Sequence, residues 1–120
     1  MKAPSTRQAK ASTRHWPSRA RTLVSVKEFS HEQDAHRYVL RIDGAIVAVV
    51  DYAINGNQIS FRHTFTNPAH RNKGYAAEVV EFAVDDVDRN SSYRVIPMCW
   101  YVADWFALHK DRQALLRRAS

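Results

Sequence analysis

The chain has 120 residues, 45% of them apolar and 25% charged, with a formal net charge of +6. That length suits a single domain with a packed core, and no apolar run is long enough to span a membrane. One cysteine, Cys99, excludes an intrachain disulfide and a cysteine-built zinc site, and a reducing, cytoplasmic compartment is the default expectation.

The positive excess is local. Residues 1–22 hold Lys2, Arg7, Lys10, Arg14, Arg19 and Arg21 and no acid, whereas residues 23–120 hold twelve Lys/Arg against twelve Asp/Glu. We read residues 1–22 as a disordered basic tail and residues 23–120 as the folded domain. The tail is rich in Arg and Ser, so an organelle transit peptide is an alternative to an extension with no address. A nucleic-acid arm is a third reading. The balanced charge of the folded part gives no sign of a nucleic-acid or membrane partner.

The elements follow in order. Leu23–Phe29 is a short strand candidate, and Ser30–His36 a polar connection. In Arg37–Ile42, Tyr38, Leu40 and Ile42 alternate onto one face. Asp43-Gly44 is a two-residue hairpin turn. Ala45–Ile54 is nearly all apolar, as in a strand covered on both faces. Asn55-Gly56-Asn57 turns the chain into a strand over Gln58–Thr66. Ala76 to about Arg89 is a helix with Ala76, Val79, Val80, Ala83, Val84 and Val87 on its apolar side and Glu78, Glu81, Asp85 and Asp88 outside. Aspartates this late in a helix oppose its dipole. Arg94–Trp100 is a strand that Pro97 confines to an edge or a splay. Residues 101–118 read as a helix with Val102, Trp105, Phe106, Leu108, Leu115 and Leu116 inward. The order is β-β-β-β-α-β-α, an α/β (α+β) domain.

The chemistry gathers between the fourth strand and the first helix, in Pro68-Ala69-His70-Arg71-Asn72-Lys73-Gly74-Tyr75-Ala76-Ala77. A helix start leaves about four N–H groups without partners and carries partial positive charge. Gly74 admits a ligand close to the backbone, and Arg71 and Lys73 add full charges. The sum is an anion site suited to phosphate or pyrophosphate. Neither a Walker loop nor G-x-G-x-x-G is present, and no G-x-S-x-G marks a serine nucleophile. His31 and His36 do not form H-E-x-x-H; five apart on a helix they would diverge by about 140°, so no metal site is expected.

Arg71-Asn72-Lys73-Gly74-Tyr75-Ala76 resembles R/Q-x-x-G-x-G/A, the pyrophosphate loop of the GCN5-related N-acetyltransferases. His63-Thr64 before it, and the Pro97-Met98-Cys99 strand end followed by His109 after it, resemble that family's short, minimal members. The likeness runs over about residues 37–116. It implies a twisted, mostly antiparallel mixed sheet with a V-shaped splay that takes acetyl-CoA or CoA in the gap. It implies that Phe65, Thr66, Arg71, Asn72, Lys73, Gly74, Tyr75 and Ala76 bind the cofactor, with backbone N–H groups on the pyrophosphate.

Cys99 would lie near the acetyl thioester, as a nucleophile, a pocket wall or simply a small buried hydrophobe. His63 is a candidate base or a hydrogen-bonded histidine beside the sheet. Tyr101 is the nearest candidate acid, since Trp105 and Phe106 have no suitable proton. Phe65 stands where these members often carry an acid, and Lys110-Asp111 where they usually have Pro and Glu. The implied activity is acetyl transfer to an exposed amine: a lysine, a chain terminus or a polyamine. A CoA-binding module without transfer is the alternative. Oligomeric state is open between monomer and weak dimer.

Overall fold

The computed structural model describes residues 25–119. Five strands form one sheet in the order β1 (Lys27–Glu32), β2 (Arg37–Ile42), β3 (Ala45–Asn55), β4 (Gln58–Thr66) and β5 (Arg94–Pro97). The first four run antiparallel as a meander, and β5 joins β4 in parallel through the crossover helix α1 (Tyr75–Asn90). α2 (Trp100–Leu108) follows β5, and a 3₁₀ helix over Lys110–Arg117 closes the fold. The expected element order holds.

The hairpins form where turn chemistry places them. Asp43 and Gly44 both take left-handed φ, 52° and 86°, as the turn's twist requires. α1 lays Val79, Val80, Ala83, Val84 and Val87 on the sheet, against Tyr38, Leu40, Val50, Ile59 and Phe61. Ala76, expected on that stripe, is only half-buried and belongs to a groove described below. Only one face of β3 is fully covered: Ala48, Val50 and Tyr52 are buried, while Val49, Asp51 and Ala53 are intermediate. The strand is not covered on both faces as expected, and its apolar run exceeds what burial of one face requires.

Two bulges set which side chains face where. Val47 is the extra residue opposite Leu40/Arg41, and Arg62 the extra residue opposite Asp51/Tyr52. Because strand side chains alternate, one inserted residue reverses the faces beyond it. Phe61 and Thr64 therefore share the α1 side, with Thr64 opposite buried Val50. His63 and Phe65 go to the other face.

The first strand sits later than expected. Ser30, His31 and Glu32 belong to β1, and the true connection is one 3₁₀ turn, Gln33–Ala35, with His36 left-handed at φ 53°. Leu23 and Val24 lie outside the described residues. Glu32 extends the pairing because its carboxylate bridges Arg37 (2.6 Å) and Arg41 (2.9 Å) on β2. β1 also meets α1 in three rungs: Lys27–Glu78 (2.9 Å), Phe29 stacked on Phe82 (5.2 Å between centroids), and His31–Asp86 (3.4 Å). Two strand residues advance about 6.7 Å and four helix residues about 6 Å, so every second residue of β1 finds every fourth of α1.

His31 is partly buried, which pushes its pKa below the ordinary value despite the nearby Asp86 carboxylate. The unfolded chain then binds a proton more readily than the folded one. Stability is full above the unfolded value near 6.5 and is lost as pH falls below it. Urea midpoints are expected to fall between pH 7.5 and 5, where carboxylates remain largely ionised, and to fall less steeply in His31→Gln.

The second helix ends sooner than the pattern suggests. α2 stops at Leu108, where His109 stacks on Trp105 (3.9 Å) and its Nδ1–H donates to the Trp105 carbonyl (2.7 Å). Leu108 is 80% exposed, not inward. It lies roughly 110° around the helix from the stripe of Val102, Trp105 and Phe106. The chain continues as 3₁₀ with Arg112, Leu115 and Arg118 spaced by three, so that a three-residue turn puts them on one side. Leu115 is buried, Arg112 pairs with Asp85 and with Asp88 (2.8 Å), and Arg118 reaches Asp88 (3.1 Å). These arginines neutralise the late aspartates that a lone helix would not tolerate.

Arg118 also donates to the carbonyls of Val87 (3.3 Å), Asp88 (3.1 Å), Ser91 (2.9 Å) and Tyr93 (3.1 Å), capping the end of α1. Arg118→Met is expected to cost about 2 kcal/mol of stability, read as a lower urea midpoint.

Candidate active site

β4 and β5 part company at Phe61–Pro97, the last register pair between them. Pro97 has no N–H to extend the ladder, and the Phe61 carbonyl accepts from both Met98 N–H and Cys99 N–H at 3.0 Å. Beyond that point β4 runs on to Thr66 beside β3 only. The result is a wedge, and a groove of about 570 Å³ occupies it. Its walls are Thr64–Thr66 of β4, His70–Asn72 and Gly74–Ala76 at the start of α1, and Cys99–Tyr101 at the start of α2.

Two left-handed residues shape the loop, Asn72 at φ 65° and Gly74 at φ 80°. Gly74 occupies the N-cap of α1 and has no side chain with which to cap it. The N–H groups of Tyr75, Ala76 and Ala77 are thus left without intrahelical partners. A Cβ added to Gly74 would meet nothing within 4 Å, so the space beside the helix start is open. The one acid in the first turn, Glu78, is neutralised by Lys27. The field at the helix start therefore stays positive. His70 Nδ1 is the one buried side-chain nitrogen or oxygen without a hydrogen-bond partner among the described residues, and His70 stands in this wall.

Cys99 is the N-cap of α2, with its Sγ 3.4 Å from Thr64 Oγ1. Partial burial alone would raise its pKa. The Thr64 hydroxyl beside it and the nearby backbone N–H groups of Val102, Tyr101 and Thr64 more than offset that, and the thiol lies below its ordinary value. The sulfur does not close a full capping hydrogen bond, so the helix-end N–H groups act on it as nearby dipoles. Tyr101 is shifted the other way: burial raises its pKa and keeps the phenol protonated. An anion-stabilised thiol and a protonated phenol thus share one groove.

Of the residues read from the sequence, Phe65, Thr66, Arg71, Asn72, Gly74, Tyr75, Ala76, Cys99 and Tyr101 all line the groove. Lys73 and His63 do not. His63 lies on the opposite face of β4, largely exposed, with Nδ1 3.2 Å from Asp51 Oδ1. Asp51 and Thr64 are the partners that the sequence did not reveal, because register and the Arg62 bulge bring them to His63 and Cys99. Around the mouth Phe65 (52%), Met98 (65%) and Trp100 (74%) are strongly exposed for apolar residues.

Parallel strands that part beside an uncapped, cationic helix start define an acetyltransferase-type α+β domain. The chain belongs to the GCN5-related N-acetyltransferases: the family model described as GCN5-related N-acetyl-transferase matches residues 37–115. Among solved structures it is similar to the ribosomal-protein-alanine N-acetyltransferase from Brucella melitensis biovar Abortus 2308, with 16% identity and a TM-score of 0.48, covering 81% of this chain and 93% of that chain. No curated protein matches the chain. No described helix is long and apolar enough to cross a membrane.

The groove fits the family's acetyl-CoA. Open N–H groups at the start of α1 and the Arg71 guanidinium suit a diphosphate. The stretch of β4 without a β5 partner offers backbone groups to an extended amide chain.

Proposed function

We propose that this protein is an acetyl-CoA-dependent N-acetyltransferase acting on an exposed amine, such as a lysine, a chain terminus or a polyamine. The observation that carries the reading is the groove joining the uncapped start of α1 to Cys99 at the start of α2. Acetyl-CoA would supply the acetyl group as a thioester. Arg71 and the first-turn N–H groups would hold its diphosphate, and the open edge of β4 would align its chain. The Thr64–Cys99 pair would sit at the acyl end, where the N–H groups of Tyr101 and Val102 favour developing negative charge. Tyr101, held protonated, would donate to the leaving thiolate.

The acceptor must arrive neutral. His63, oriented by Asp51, is the available base on the outer face. Only a single 3₁₀ turn joins β1 to β2, so among the described residues no helical pair follows β1 to wall that face off. An open approach suits a large or extended amine donor better than an enclosed metabolite. The exposed Phe65, Met98 and Trp100 provide apolar footing beside it.

A second reading, CoA binding without transfer, is favoured by the position of His63 outside the groove. Acetyl-transfer assays with a lysine peptide, an N-terminal peptide and spermidine separate the two. Transfer to any of them that falls on the order of 10²-fold in His63→Gln supports the base assignment. Tight CoA binding with no transfer to any acceptor would favour the second reading.

A further inference from the structure

A second cavity, about 610 Å³, lies at the other end of α1 from Gly74. It is walled by the β1–β2 turn, the base of β3 and β4, the last turns of α1 and the start of β5. Its lining contains no lysine or arginine and a single acid, Asp86. With the histidines neutral, that carboxylate is the only full charge in the wall.

The surroundings of Asp86 hold it without neutralising it. Tyr38 Oη–H donates to Oδ2 (2.6 Å) and Asn90 Nδ2–H to Oδ1 (2.8 Å). The only basic group within ion-pair distance among the described residues is His31, at 3.4 Å. His31 Nε2 lies 2.6 Å from the Tyr52 hydroxyl. A neutral imidazole that accepts there donates its Nδ1–H toward Asp86, and partial burial favours that neutral form. A carboxylate offers about four acceptor positions, and the hydrogen bonds from Tyr38 and Asn90 fill two of them.

Rings make up much of the remaining wall. His31 stacks on Tyr38 (4.0 Å), His36 stacks on Tyr52 (5.3 Å), and Tyr93 faces the same space. The sequence suggested that His31 and His36 would diverge on a helix. One lies instead on a strand and the other in a left-handed turn, and both rings meet Tyr52. No group of three or more His, Cys, Asp or Glu side chains that could hold a metal ion occurs among the described residues. An unbalanced carboxylate within an aromatic wall, without a metal-binding donor set, favours an organic cation, which gains from both the charge and the rings.

We propose that this cavity is a second binding site that takes a small organic ammonium ion, its charge against Asp86 and its alkyl groups against Tyr52 and Tyr93. The site is separate from the Cys99 groove and does not depend on acetyl transfer.

The test is a ¹⁵N–¹H NMR titration of the full chain at pH 7.5 with tetramethylammonium chloride, at ionic strength held constant with sodium chloride. Neopentyl alcohol, of similar size and neutral, serves as the parallel probe. The expected result is saturable shifts centred on His36, Tyr52, Asp86 and Asn90, with no saturable response to the alcohol. Asp86→Asn should weaken binding by at least about tenfold. Tyr93→Leu, which retains the charge, should weaken it less and serves if Asp86→Asn fails to fold. Absence of saturation, equal binding of the neutral probe, or shifts confined to Asn72–Ala76 and Cys99 would overturn the proposal.

Discussion

Gly74→Glu should abolish binding of acetyl-CoA and CoA, a loss of at least about 100-fold, while the domain stays folded. Three effects act together. The new side chain projects into open space at the helix start, so no internal clash unfolds the protein. It places a carboxylate where the diphosphate would meet the N–H groups of Tyr75–Ala77, and like charge at close range costs several kcal/mol in a partly desolvated site. It also gives a non-glycine residue a φ of +80°, at a cost of about 1–2 kcal/mol. Gly74→Ala carries the strain without the charge, so it separates the terms. It should lose some stability yet keep measurable CoA affinity. Calorimetry for binding and urea unfolding for stability read the two separately.

Cys99→Ala should reduce acetyl transfer on the order of 10²-fold while leaving CoA affinity within about threefold. In the proposed arrangement the diphosphate would sit at α1, whereas Cys99 stands at α2, so the two functions separate in space. The thiol's own state can be read without any acceptor. Its pKa lies below the ordinary thiol value, so alkylation by iodoacetamide should reach its half-maximal rate at lower pH than for an ordinary cysteine. Thr64→Val removes the hydroxyl that donates to the sulfur, and the midpoint should move up. Unchanged transfer in Cys99→Ala, with unchanged alkylation in Thr64→Val, would reduce Cys99 to a packing residue.

Much of the fold is legible because local rules agree along the chain. Alternation in Arg37–Ile42, the Asp43-Gly44 turn and the helical spacing from Val79 to Val87 each point to the element observed. The candidate groove is legible for the same reason: a loop, a glycine and a helix start are contiguous in sequence. What escapes is set by contacts between distant residues. Asp85, Asp86 and Asp88 look misplaced until Arg112, Arg118 and Tyr38 are brought to them. The bulge at Arg62, invisible in composition, turns Thr64 toward Cys99 and His63 toward Asp51. His109 ends α2 by bonding back to Trp105, a local event that the apolar pattern does not register. The spacing of Arg112, Leu115 and Arg118 was a readable sign of a three-residue turn, masked by reading Leu108 and Leu116 as one stripe.

The most direct test of the account is a calorimetric titration of the full chain with acetyl-CoA, followed by competition with CoA. The account predicts one saturable site per chain, shared by the two ligands and accompanied by NMR shifts at Asn72–Ala76 and Cys99–Tyr101. A folded protein that gives neither heat nor shifts at these residues would contradict it.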